Sequence, residues 1–192
     1  MRYKLMATAA LALTFNGVAG PAPARATKAA DALIRLDDLP DGYSKATGGA
    51  SKAGCLNFEN ILKPGSQSTA RARFENGSDS SVVHITGVYA DITSADKAVA
   101  AVTKWAKDCA KFSFKIEGTK ITEVISEMKF TPQTKADQMK AYRGSATWAT
   151  FRNESVFVEY RQGTTVGVVI YGGWSADLDL VKTIVDDAIS KA

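Results

Sequence analysis

Ser94-Ala95-Asp96-Lys97-Ala98-Val99-Ala100-Ala101-Val102-Thr103-Lys104-Trp105-Ala106-Lys107-Asp108-Cys109 is the stretch from which the rest of the chain is read. Ala95, Ala98, Val102, Trp105 and Cys109 recur at helical spacing and form one apolar stripe. The spacing predicts a helix from Ser94 to Lys111, capped by Thr93 or Ser94, with Cys109 facing the core. The only other cysteine is Cys55, which heads the short apolar segment Cys55 to Leu62. That segment predicts a second, short helix ended by Pro64-Gly65. Two cysteines in an exported chain usually pair, so a Cys55–Cys109 disulfide is expected. Closing so long a loop would contribute roughly 4 kcal/mol. The alternatives are two buried free thiols or an intermolecular pair. No Cys-x-x-Cys occurs to suggest redox chemistry.

Export is read from the first residues. Arg2 and Lys4 precede an apolar run from Leu5 to Phe15, and Ala24-Arg25-Ala26 offers a small-x-small cleavage site. The expectation is a signal peptide over residues 1–26, cleaved near Ala26, and one domain over residues 27–192. The product would be secreted, with no membrane span. Arg2, Lys4 and Arg25 account for most of the formal charge of +4. Without them the chain is nearly neutral, so no nucleic-acid partner is expected. The Lys104, Lys107, Lys111 row on the long helix reads as a solvated face.

Outward from the helix the pattern turns to strands. Thr69 to Glu75 alternates apolar and polar residues, and Asn76-Gly77 is a favoured hairpin pair before a β-rich run from Ser80 to Ala90. After the helix, Phe112–Ile116, Thr119–Phe130, Ala141–Phe151, Glu154–Arg161 and Thr164–Tyr171 read as a meander, with Arg152-Asn153 and Gln162-Gly163 as links. Leu178, Val181, Val185 and Ala188 mark a closing helix from Ser175 to Ser190. Thr27 to Asp38 reads as a short opening helix. The expected fold class is α+β: a single twisted antiparallel sheet of about six to seven strands, two long helices on one face, and one disulfide. The other face would be partly open.

Catalytic chemistry finds little support in these residues. His84 is the single histidine, and a zinc site normally needs several His or Cys ligands. No metal and no cofactor are expected. A serine hydrolase would have to use His84 as its base, without a Gly-x-Ser-x-Gly elbow. Glu123, Glu127 and Glu159 fall on strands where a cleft would reach them. What remains is a set of strand aromatics. Tyr89, Trp148, Phe157, Tyr160 and Tyr171 are the candidate ligand-binding residues, lining the open face for a small apolar or amphipathic ligand. The plainer reading is that they fill both sides of a curved sheet. Val156, Val158 and Tyr160 share one strand face, and Phe157, Glu159 and Arg161 share the other.

The order of features resembles an actinobacterial family of exported sensor domains, the PknH-like extracellular domains. The matching residues are Leu39-Pro40-Asp41-Gly42-Tyr43, Cys55 at the head of a short helix, and Thr93-Ser94-Ala95-Asp96-Lys97-Ala98 leading to Cys109. The late strand Val166–Tyr171 and the final helix complete the set, over residues 33–191. The resemblance implies a curved antiparallel sheet, a ligand-binding cleft and no established catalysis. This sequence has one cysteine pair where the kinase's domain has two disulfides, and it contains no kinase segment. The layered pattern is also similar to the Mog1/PsbP-type fold. The function expected is a secreted, non-enzymatic module that binds a small ligand, an envelope component or a protein partner. The alternatives are a secreted hydrolase using His84 or a strand Glu, and an interaction or inhibitor protein acting through Gly48–Gly54 or Thr131–Asp137.

Overall fold

A computed structural model describes residues 28–46, 55, 59–77, 80–116, 119–148 and 151–192. The signal peptide read over residues 1–26 and the loop read over Gly48–Gly54 lie outside the described residues. Eight strands form one sheet. They are β1 (Ser44–Lys45), β2 (Ser66–Asn76), β3 (Ser80–Tyr89), β4 (Lys111–Ile116), β5 (Thr119–Met128), β6 (Gln138–Trp148), β7 (Phe151–Gln162) and β8 (Thr165–Gly173). The order across the sheet is β1-β2-β3-β8-β7-β6-β5-β4, and every neighbouring pair is antiparallel. The helices are α1 (Glu59–Leu62), α2 (Ile92–Asp108) and α3 (Leu178–Lys191).

The sequence dictates this order through its turns. Gly77 and Gly163 both adopt positive φ, 54° and 57°, which residues with a Cβ disfavour. They close the β2–β3 and β7–β8 hairpins. The meander from β4 to β8 then docks through β8 against β3, with Val83 opposite Ile170 and Ile85 opposite Val168. Helix α2 must carry the chain from β3 to β4, five strand positions away. At about 4.8 Å per strand that is about 24 Å, and 17 helical residues extend about 25 Å. The length of the apolar stripe therefore matches the width it crosses.

The eighth strand is the short extended piece after Tyr43, where Ser44 pairs with Glu75. A larger difference concerns the helices, which do not share a face. Helix α2 packs with Tyr89, Ile125, Tyr142, Phe157 and Val168. Helix α3 packs with Val82, Val156, Val158, Tyr160 and Val169 on the other side. Consecutive strand residues point to opposite faces, and β7 and β8 are buried through residues of both parities. Both faces must be covered, and one helix covers each.

Three local expectations are also corrected. The segment 28–38 forms turns and a short 3-10 stretch, Leu36–Asp38, in place of a helix. Its backbone is bonded to the sheet instead: Ala29 N–H donates to Ser68 Oγ at 3.2 Å and Ala29 O accepts from Thr86 Oγ1 at 2.7 Å. Asp91, not Thr93 or Ser94, caps α2 by accepting from Ser94 N–H at 2.7 Å. Arg152 and Asn153 lie inside β7, opposite Thr147 and Ala146.

The disulfide forms as expected. Cys55 and Cys109 are bonded with their Cα atoms 5.8 Å apart. Trp105 Nε1–H donates to Cys55 O at 3.0 Å, so the bridge and an indole hydrogen bond fasten the same point to α2. Among the described residues no helix is long and apolar enough to cross a membrane.

Candidate functional site

The aromatic set chosen from sequence is divided between the two cores. Tyr89 and Phe157 are 2% and 3% exposed beneath α2, and Tyr160 and Tyr171 are 1% and 5% exposed beneath α3. Tyr89 OH donates to Leu62 O, and the Phe157 ring packs on Trp105 with centroids 5.6 Å apart. Trp148 ends β6 opposite Phe151; its side chain lies outside what the structure describes. The four described aromatics fill the two cores and do not line a common open groove.

His84 is fully buried on the α3 face. Its Nδ1 accepts from Ile34 N–H at 3.1 Å, so the ring proton sits on Nε2, which donates to Tyr160 Oη at 2.9 Å. Tyr160 in turn donates to Ala188 O at 3.2 Å. The chain joins the N-terminal segment, β3, β7 and α3, and every group in it has a partner. Burial, with the Lys191 charge as a second cause, holds the imidazole at a pKa of about 3. His84 is thus a neutral clamp with both nitrogens committed, a poor starting point for a general base.

On the opposite face, Glu159 is 1% exposed. Oε1 accepts from Thr103 Oγ1 at 2.9 Å and, more weakly, from Tyr142 Oη at 3.4 Å. Oε2 is buried and bonded to nothing among the described residues. Burial raises this carboxyl to about 7, against the opposing hydrogen bond from Thr103 and the charge of Lys140. Lys140 pairs with Glu159 across the β6–β7 ladder, and its Nζ lies 3.4 Å from Thr103 Oγ1.

Thr103 and Tyr142 also form part of the wall of a groove along the outer flank of α2. One recess, about 390 Å³, is lined by Val99, Ala100, Thr103, Lys104, Lys107 and Lys140 among others. A second, about 320 Å³, shares Thr103, Lys107 and Lys140 and adds Ala106, Ile125, Glu127 and Tyr142. At the near end Arg161, 8% exposed, forms an ion pair with Asp96 at 3.0 Å and donates to Asp137 at 2.9 Å, which pins α2 to the start of β6. Lys104 is bonded to Asp108 one turn on. The groove therefore has an apolar back, a lysine rim and a buried carboxyl behind its floor.

Sequence reading named Glu159 as a strand carboxylate and Lys104 and Lys107 as one helix row, without bringing them together. Glu123, also named there, is 6% exposed, accepts from Ser155 Oγ at 2.6 Å and is raised by burial. It belongs to a separate spot beside Gly144, where a Cβ would stand 2.3 Å from Glu123 Oε1. Among the described residues no three His, Cys, Asp or Glu gather as a metal site.

Comparison with solved structures finds matches to this fold. The fold is that of the extracellular domain of PknH from Mycobacterium tuberculosis. The match has a TM-score of 0.68 and covers 90% of this chain and 98% of that one, at 11% sequence identity. No protein-family model matches the sequence, and neither does any curated protein. The resemblance read from the Leu39–Tyr43 turn, the cysteine positions and the final helix is thus reproduced in three dimensions.

Proposed function

We propose that this chain is a secreted, non-enzymatic binding module of the sensor-domain type, and that its ligand occupies the groove along α2. The observation that carries this reading is the groove itself: Val99, Ala100, Ala106 and Ile125 back it, and Lys104, Lys107 and Lys140 rim it. Ligand sites are typically concave and combine an apolar wall with placed polar groups; this groove has both, with a larger polar and charged share. The disulfide supports an oxidising, extracytoplasmic location, and the likeness to an extracellular domain supports the same. The ligand class is a small amphipathic molecule or envelope component. A hydrolase centred on His84 has no support from a ring buried and engaged at both nitrogens.

Native mass spectrometry of the protein purified from its own host tests the reading. A bound small molecule is expected, lost when Lys107 and Lys140 are both replaced by Ala. If the wild type carries no such mass and envelope extracts supply no ligand that protects it from heat, the groove is not a binding site.

A further inference from the structure

We propose that the groove holds the oxyanion head of a single-chain amphiphile between Lys107 and Lys140, and that the Glu159 carboxyl behind its floor makes this binding stronger in acid than in base. The inference rests on the groove being the ligand site and adds the class of ligand and the group that regulates it.

Charge complementarity selects the head. Lys107, on α2, and Lys140, on β6, line both recesses. Two of the other charges around the groove are already matched. Lys104 bonds Asp108, and Asp96 forms an ion pair with Arg161. Glu127, on β5, is the acidic group at the far end. Two lysines lining the same recesses of about 320–390 Å³ suit an anion with several acceptor oxygens. The alanine, valine and isoleucine wall suits an alkyl chain.

Glu159 supplies the regulation. Both of its hydrogen-bond donors, Thr103 and Tyr142, reach Oε1, so Oε1 is the carbonyl oxygen of the acid form and Oε2 carries the proton. In that form the carboxyl adds no charge to offset the lysines. When the proton leaves, a full negative charge appears behind Thr103, on the residue paired with Lys140. The carboxylate then draws the Lys140 ammonium inward and repels an incoming anion. Burial places this transition near neutral pH. By linkage, a bound oxyanion must in turn tighten the carboxyl's hold on its proton. The groups facing Glu159 are Thr103 from α2, Lys140 and Tyr142 from β6, and Glu127 from β5. Of these, Lys140 and Glu127 are the charged ones, and they bear on the carboxyl with opposite signs.

Decanesulfonate is a suitable probe, because its head stays singly charged throughout. Its affinity for the intact protein should fall about ten-fold from about pH 5.5 to about pH 8.5. Glu159→Gln should hold the tighter value at both ends. Thr103→Val, which removes the main hydrogen bond favouring the ionised form, should move the midpoint to higher pH. Inorganic sulfate and decanol are the head alone and the tail alone; both should bind weakly. If decanesulfonate binds with no pH dependence, or Glu159→Gln keeps the wild-type dependence, the regulatory inference falls and the groove stands. If sulfate binds as tightly as decanesulfonate, the ligand is a free oxyanion and the amphiphile is wrong. If none of the three binds the wild type, the groove reading falls and takes this inference with it.

Discussion

His84 and Glu159 sit on opposite faces of one sheet, both almost entirely removed from water, yet their surroundings differ in one respect. The imidazole ends in partners at both nitrogens. The carboxyl has two donors on one oxygen and, among the described residues, none on the other. Desolvation acts on both and favours the neutral form of each, but only the histidine's neutral form is completely bonded. A buried group with every valence matched belongs to the scaffold. A buried group with one left over, beside a groove, is placed to act on something that arrives.

The largest expected effect breaks or confirms the first half of that contrast. An imidazole at about 3 when folded and near 6.5 when unfolded binds its proton only on unfolding. The unfolded state takes up more protons between those values, so stability is intact above about pH 6.5 and falls as pH drops towards 3. The slope is about 1.4 kcal/mol per pH unit, approaching about 5 kcal/mol in total. Denaturant titrations across that range should show the loss in the wild type, and the difference profile against His84→Gln should isolate it. Equal slopes in the two proteins would mean that His84 is charged or solvated in the fold.

Glu159 should show the opposite sign and a smaller size. Its folded value of about 7 lies above the ordinary 4.5, so the folded state holds the proton longer. Its contribution is complete below about pH 4.5 and is lost as pH rises through 7, up to about 3 kcal/mol. Glu159→Gln should thus match the wild type near pH 4.5 and exceed it in stability at about pH 8. A variant less stable than wild type at about pH 8 would show that the carboxylate is stabilised by Lys140 more than burial opposes it.

Much of this architecture was legible in the chain, for physical reasons that also mark the limit. The stripe from Ala95 to Cys109 is local, and all five residues are buried. The hairpins follow from Asn76-Gly77 and Gln162-Gly163, again within a few residues. The alternation in Val156-Phe157-Val158-Glu159-Tyr160 showed two occupied faces. It did not show which helix takes which face, because that depends on how a chain crosses a sheet. The opening segment failed as a helix because its backbone partners, Ser68, His84 and Thr86, come from distant strands. The candidate site was illegible for the same reason. Thr103 and Glu159 are 56 positions apart, and nothing in either neighbourhood announces the other.

Tyr160 tests whether the histidine chain acts as a unit. Tyr160→Phe removes the acceptor for His84 Nε2–H and the donor to Ala188 O together, leaving two buried polar groups unmatched. The expected cost is about 1–3 kcal/mol at neutral pH, read as a shift in denaturant midpoint without a change in slope. In a cycle with His84→Gln the two losses should not add. Additive losses would mean that the bond between the two rings contributes nothing. The ring also lies against Gly167, where a Cβ would stand 2.2 Å from Tyr160 Cζ. Gly167→Ala should therefore reproduce much of the same loss by displacing the phenol.

The smallest effect sharpens the other side of the contrast. Lys104 pairs with Asp108 across one helical turn, with side chains 75% and 59% exposed. An exposed pair of that kind contributes about 0.3–0.5 kcal/mol and is screened by salt. Lys104→Ala should lower stability by no more than that, and the difference should vanish in high salt, as thermal melts would record. A rim residue with so little effect on the fold leaves the scaffold unaffected when it changes, unlike any member of the His84 chain. A melting loss of several degrees that persists in salt would place Lys104 in the scaffold, and the division between a closed face and an adjustable one would no longer follow the two sides of the sheet.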